Sequence, residues 1–351
     1  MHLDSHNLDA YAVGCGVLST GGGGEADIGM AMVRLAIESF GAVEIIDVVD
    51  LGDDDLVMPC GLIGSPTLAR ERLWNGTEGD RLATIMNRLH DGDINVLMCY
   101  EIAGVNGLLP AMWAAHQRLP LLDADGMGRA FPEMQQQSMH LAGVPACPLV
   151  LTDGNGNDIV VLTGSARGAE RMARDATASL GGTSAGALYV MTGSTARSAV
   201  ISGSVSKAIA VGTVITSRSS HWCQALADTM DGRLLIEGTV SELEWGAGEK
   251  FARGHAIVES PASGLSEARH VRLELQNEYL LAIEDGEVVA SVPDIIAVID
   301  LSTGVPVGTE NLRCGQRIGI VVLPAPTIWA TADGLAVVGP ASFGYGGIID
   351  D

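Results

Sequence analysis

The densest set of reactive side chains lies in "LLDADGMGRAFPE", Leu121–Glu133. Asp123 and Asp125 stand two apart at the end of an apolar run, so on a continuing strand both project to one side. Gly126 and Gly128 sharpen the loop that follows. Arg129 brings a cation beside the acids, and Glu133 adds a third carboxylate. Such a set suits general acid/base catalysis or a hard divalent cation. Asp123 and Asp125 are therefore candidate catalytic groups and candidate metal ligands; an Asp–Arg salt bridge that only holds the loop is the alternative. "EIAGVNG" ends the preceding apolar run in the same way. It offers Glu101 as a further acid/base group and Asn106 as donor and acceptor for an amide or ureido ligand. Asn106 also fits as the N-cap of a helix over Gly107–Arg118.

A glycine-rich stretch, "STGGGGEADIG" (Ser19–Gly29), precedes both motifs. It lacks the third glycine of a dinucleotide fingerprint and the lysine of a phosphate loop. Glu25 and Asp27 would repel a phosphate. What remains is either a tight turn or a wall of bare backbone for a small flat ligand. Gly22, Gly23 and Gly24 then offer their amides, facing the "DADGMGR" loop. Other apparent motifs fail on context. "GTSAG" (Gly182–Gly186) follows a helical pattern and precedes a strand-like one, the reverse of a nucleophile elbow. Ser204–Lys207 matches S-x-x-K without its partner motifs. The eight histidines show no zinc spacing. Cys60, in "MPCGLIGSP", reads as a buried thiol or a nucleophile near a loop.

These segments need a scaffold. Helical spacing over Asp27–Phe40 is followed by a strand at Val43–Leu51. One or two helices surround Gly76. A strand at Asn95–Ile102, a helix from Gly107 and a strand at Pro120–Asp125 continue the alternation. This rhythm predicts an α/β layer fold with a largely parallel sheet, and strand ends in such sheets carry ligands. A hairpin is predicted across Asp153–Asp158, with helices over Ala169–Leu180 and Ala199–Ile215. From about Asp231 the chain turns β-rich, with a hairpin mark at Asp285–Gly286, which predicts a barrel or sandwich. The division is drawn at 1–165 and 166–351, with the last segment packing at the boundary between the two domains.

The chain has 351 residues, a net charge of −23 and 47% hydrophobic residues. It can bury a large core. Its acidity argues against nucleic acid and anionic membrane surfaces, since Lys207 and Lys250 are its only lysines. The N-terminus has neither a basic nor an apolar leader segment, and no apolar run is long enough to span a bilayer. Six cysteines without a C-x-x-C pair suit reduced thiols. A cytoplasmic homo-oligomer is the expectation.

In order along the chain, "STGGGGEADIG", "EIAGVNG", "DADGMGRAFPE", "QNEYL", "VPDIIAVID", "CGQRIGIVVLPAP" and "VGPASFGY" resemble the S-methyl-thiohydantoin desulfurase-like family, over nearly the whole length. The resemblance implies an N-terminal α/β/α three-layer domain with a parallel or mixed sheet and a C-terminal domain containing a β-barrel. It further implies action on a small cyclic ureide and a hydantoinase/oxoprolinase protein as partner. On that reading Asp123, Asp125 and Glu101 are the catalytic candidates. Gly22–Gly24, Asn106, Arg129 and Glu133 hold the ring. No cofactor beyond a divalent metal is suggested. The alternative is a non-catalytic subunit of the same partner. Ser19, Glu25, Cys314 and Ser342 depart from the family pattern.

Overall fold

The computed structural model describes residues 1–24, 26–64, 74–217, 221–246, 252–262 and 267–347. Glu25, Lys250 and residues 71–73 of the helical region before Gly76 lie outside them.

The first sheet is mixed. Its strands are β1 (His2–Leu3), β2 (Val43–Ile46), β3 (Leu56–Gly64), β4 (Ile94–Cys99), β5 (Leu121–Leu122), β7 (Leu149–Thr152), β8 (Asp158–Val161) and β9 (Thr183–Ala187). They run in the order β1-β2-β5-β4-β3-β9-β7-β8. The stretch β2-β5-β4-β3 is parallel, and β9, β7 and β8 join it antiparallel. A short strand, β10 (Met191–Thr192), pairs with β3. Alternation along the strands feeds two cores. Met58, Cys60, Leu97 and Cys99 pack among helices Leu8–Leu18 and Gly104–Gln117, while Val57, Val96, Met98 and Tyr100 face helix Ala166–Ser179. Period-2 burial on both faces is what a central sheet between helical layers requires.

Three expectations change in detail. The Val43–Leu51 strand ends at Ile46, because Asp47 accepts from the Val49 amide and turns the chain into a 3-10 turn. The helix expected over Ala199–Ile215 is broken. It becomes helix Gly193–Ala199, strand β11 (Ile201–Ser202) and helix Ser204–Thr216, with Gly203 at φ +77° making the corner. The apolar run at Pro120–Asp125 is interrupted at Asp123, after which β6 (Ala124–Asp125) pairs with β11.

Helix Ser204–Thr216 crosses helix Leu8–Leu18 at backbone contact. A Cβ on Gly14 would sit 1.8 Å from the Ala208 carbonyl oxygen, and one on Gly212 1.7 Å from that of Ala10. Both positions must be glycine for the two helices to approach this closely. The crossing sets the start of the second helix over β6.

The second sheet holds β12 (Arg233–Gly246), β13 (Arg253–Ser260), β14 (Arg269–Leu275), β15 (Tyr279–Glu284), β16 (Glu287–Ser291), β17 (Ile295–Asp300) and β18 (Arg317–Leu323). All pairs are antiparallel, in the order β16-β15-β14-β13-β12-β18-β17. The sheet curls around its own core but stays open: it is a half-barrel, not the closed barrel expected. The β16–β17 connection is engaged elsewhere. Arg129 donates to the carbonyls of Pro293 and Asp294, and Val292 packs against Met127, Phe131 and Trp329. Among the described residues no helix is long and apolar enough to cross a membrane.

Candidate functional site

A cleft of about 560 Å³ opens where the strand ends of the first sheet meet the β14–β15 turn of the second. Gly23 and Gly24 form one wall. Glu101 and Asn106 come from the loop after β4 and the helix that follows it. Glu278 comes from the β14–β15 turn. Phe131, Glu133 and the Glu170–Arg174 ion pair lie toward the other side.

Glu101 and Glu278 are 5% and 3% exposed. Asn106 donates to Glu101 Oε1 and accepts from the Leu62 amide at 2.7 Å, so its side chain is locked and orients the carboxyl. It is not the N-cap: the helix begins at Gly104, placing Asn106 in its first turn. Glu101 Oε2 makes no hydrogen bond of normal geometry among the described residues, although the Phe131 amide lies near enough to favour its charge. Glu278 Oε2 is likewise unpartnered. Burial pushes both carboxyls up to about 8. For Glu101 the Asn106 hydrogen bond opposes that rise and the Glu278 charge adds to it, and for Glu278 the Arg129 charge opposes it. Two buried carboxyl groups, both favoured in their protonated form, thus line one cleft.

Arg129 sits behind this wall with no exposed surface. Its Nη2 donates to Thr20 Oγ1 at 2.7 Å, and its Nη1 to the Asp294 and Pro293 carbonyls at 2.5 and 3.2 Å. Burial lowers its pKa to about 10, which still leaves it charged. It joins the glycine stretch to the second sheet and places positive charge near both glutamates.

The glycine stretch fits these neighbours closely. A Cβ on Gly22 would lie 2.6 Å from Glu278 Oε1, and one on Gly23 3.0 Å from the Ala103 backbone. Its carbonyls are used: Tyr279, Thr309 and Val105 donate to Thr20, Gly21 and Gly23. The Gly23 and Gly24 amides have no partner among the described residues.

Asp123 and Asp125 are placed differently. Asp125 Oδ2 accepts from the amides of Ile102, Met127 and Gly128 at 2.9, 3.2 and 2.7 Å, and its Oδ1 from Ser204 Oγ at 2.6 Å. Burial raises it to about 6 against the pull of those donors. Asp123 accepts from the Ser206 amide and hydroxyl. Both carboxylates tie the 121–128 loop to the start of helix Ser204–Thr216, and neither lines the cleft. Four donors occupy the oxygens of Asp125, and one donor meets each oxygen of Asp123. The one cluster with metal-ligand spacing among the described residues, Glu242, Glu244 and His255, stands on the β12–β13 hairpin instead.

Residues 6–163 match the description "S-Me-THD-like, N-terminal domain", and residues 164–349 match "S-Me-THD-like, C-terminal domain". The chain belongs to the S-Me-THD-like family. A crystal structure of a protein from Chromobacterium violaceum is similar to it over 99% of this chain and 98% of that one, with a TM-score of 0.82 and 19% identity. At that identity the likeness concerns the fold. No curated protein gave a match.

In this S-Me-THD-like protein the residue that motif reading passed over is Glu278. The available signal was "QNEYL", an acid set between two apolar strands where a hairpin turn needs none. Gln137 is a second omission; it lines the cleft with its Oε1 unpartnered. Cys60 is fully buried in the sheet, its thiol raised by burial, and it does not line the cleft. Ser184 of "GTSAG" is buried in the middle of β9 and shares a hydrogen bond with Thr177.

Proposed function

We propose that this protein is a hydrolase acting on a small cyclic ureide of the S-methyl-thiohydantoin or hydantoin type, with Glu101 and Glu278 as its acid/base pair. The observation that carries this reading is a pair of cleft-lining glutamates, Glu101 and Glu278, each with a buried carboxyl oxygen that has no partner among the described residues. With both carboxyls raised to about 8, loss of one of the two protons supplies the base while the other group remains the acid. The family membership supports the substrate class.

For an S-methyl-thiohydantoin, water adds across the C2=N bond. The water oxygen bonds to C2, one proton passes to the ionised glutamate, and the protonated partner gives its proton to the ring nitrogen. The adduct collapses with the roles reversed. The new hydroxyl gives its proton to one glutamate, the C2–S bond breaks, and the other protonates the leaving sulfur. A hydantoin and methanethiol result, and the pair returns to its starting state. The free amides of Gly23 and Gly24 are placed to donate to a ring oxygen. Asn106 and Arg129 act as positioning residues: Asn106 holds Glu101, and Arg129 biases Glu278 toward its anion.

Methanethiol release from S-methyl-thiohydantoins by the isolated protein, and ring opening of the parent hydantoins, test the reading. Turnover abolished by Glu101→Gln and by Glu278→Gln supports it. Undiminished turnover in both variants removes the pair. Turnover that needs an added hydantoinase/oxoprolinase protein favours the accessory-subunit alternative.

A further inference from the structure

The cleft is not closed on the side of the glycine stretch. A second groove, of about 1020 Å³, lies beyond Gly21–Gly24. Gly23, Gly24, Ala252, Asn277, Glu278 and Glu310 line both spaces. The two therefore adjoin along these residues, with Glu278 among them. Five-membered rings do not fill a groove of this size, and drug-sized ligands do.

Its surface is chemically specific. Ala12, Val13, Met30 and Pro306 supply an apolar floor. Asp9, Asp27, Asp300 and Glu310 supply negative charge. Its one cation among the described residues, Arg34, is paired with Asp9. An anionic tail entering this groove meets like charge without a free cation to offset it.

We infer that the substrate's ring carries an extended substituent that lies in this groove, apolar along its length and ending in a cationic group such as an amine. The inference rests on the proposed cyclic-ureide chemistry and adds the class of substituent. It places the reacting ring against Glu101 and Glu278, with the chain passing Gly23 and Gly24, which line both spaces.

The test uses three synthetic S-methyl-thiohydantoins: one bare at C5, one with a five-carbon chain ending in an amine, and one with the same chain ending in a carboxylate. Calorimetry gives each Kd, and methanethiol release reports turnover separately. The amine-bearing ring is expected to bind about tenfold or more tightly than the bare ring, and the carboxylate-bearing ring more weakly than the amine. Glu310→Lys, at an exposed position, is expected to narrow or invert the amine-to-carboxylate ratio. Equal Kd values for all three rings, or a preference for the carboxylate, overturn the inference whatever the turnover shows. Binding with the expected order but no turnover keeps the groove and removes the hydrolase reading. No binding of any ring removes both.

Discussion

Two acidic pairs lie close together in this fold and have opposite fates. Asp123 and Asp125 stand two apart in sequence, and every carboxylate oxygen they own meets a donor. Glu101 and Glu278 come from different halves of the chain, and each keeps one buried oxygen without a partner. A buried polar atom left unsatisfied costs stability, so its retention asks for a purpose that folding does not supply. Hydrogen-bond satisfaction, more than residue type or spacing, separates the two pairs.

The largest effect that sharpens this contrast is on turnover. Glu101→Gln and Glu278→Gln are each expected to lower kcat/KM by about 10²–10⁴-fold while the fold persists, measured on a cyclic ureide substrate. The contrast breaks if Asp123→Asn produces the same loss with an unchanged melting temperature. Next in size is a stability effect on the other pair. Asp125→Ala leaves the amides of Ile102, Met127 and Gly128 without their acceptor, and urea denaturation should show a loss of about 3 kcal/mol. The same measurement on Glu278→Gln should show no loss.

The third expectation concerns pH. Glu101 and Glu278 are raised in the fold to about 8 from an ordinary value of 4.5. A raised carboxyl contributes stability that is fully present below the ordinary value and is lost as pH rises through the folded one. The melting temperature should therefore fall between pH 5 and pH 9, and Glu278→Gln should flatten that slope. An unchanged slope would show that the two groups are not the proton-holding ones. The smallest effect is expected at Gly22. A Cβ there meets the end of the Glu278 side chain, which can swing away, so Gly22→Ala should cost little stability. It should lower kcat by roughly tenfold by moving that carboxyl, about 1.4 kcal/mol.

Much of the scaffold was legible because it rests on local periodicity. The helix expected at Asp27–Phe40 is Ala26–Phe40, and the hairpin at Asp285–Gly286 joins β15 to β16 with positive φ at both residues. The β-rich texture expected from about 231 begins with β12 at Arg233. The open edge of the second sheet was not legible, since strand texture alone does not say whether β16 and β17 pair. The site was legible by half. Glu101, Asn106 and Glu133 were found from loops after strands and Gly23 and Gly24 from the glycine run, and all line the cleft. Glu278 and the donors that occupy the two aspartates are contributed by distant segments, and no spacing rule connects them.

Strand β9 carries a further consequence. It belongs to the segment matched as the C-terminal domain, yet it lies between β3 and β7 of the first sheet. A chain cut after residue 163 would leave β3 and β7 each with a bare edge, and two apolar edges in water invite pairing with other chains. The two matched halves are thus threaded through one another and are poor candidates for exchange between relatives as modules. Recombination that respects this topology must carry residues 183–187 along with the first half.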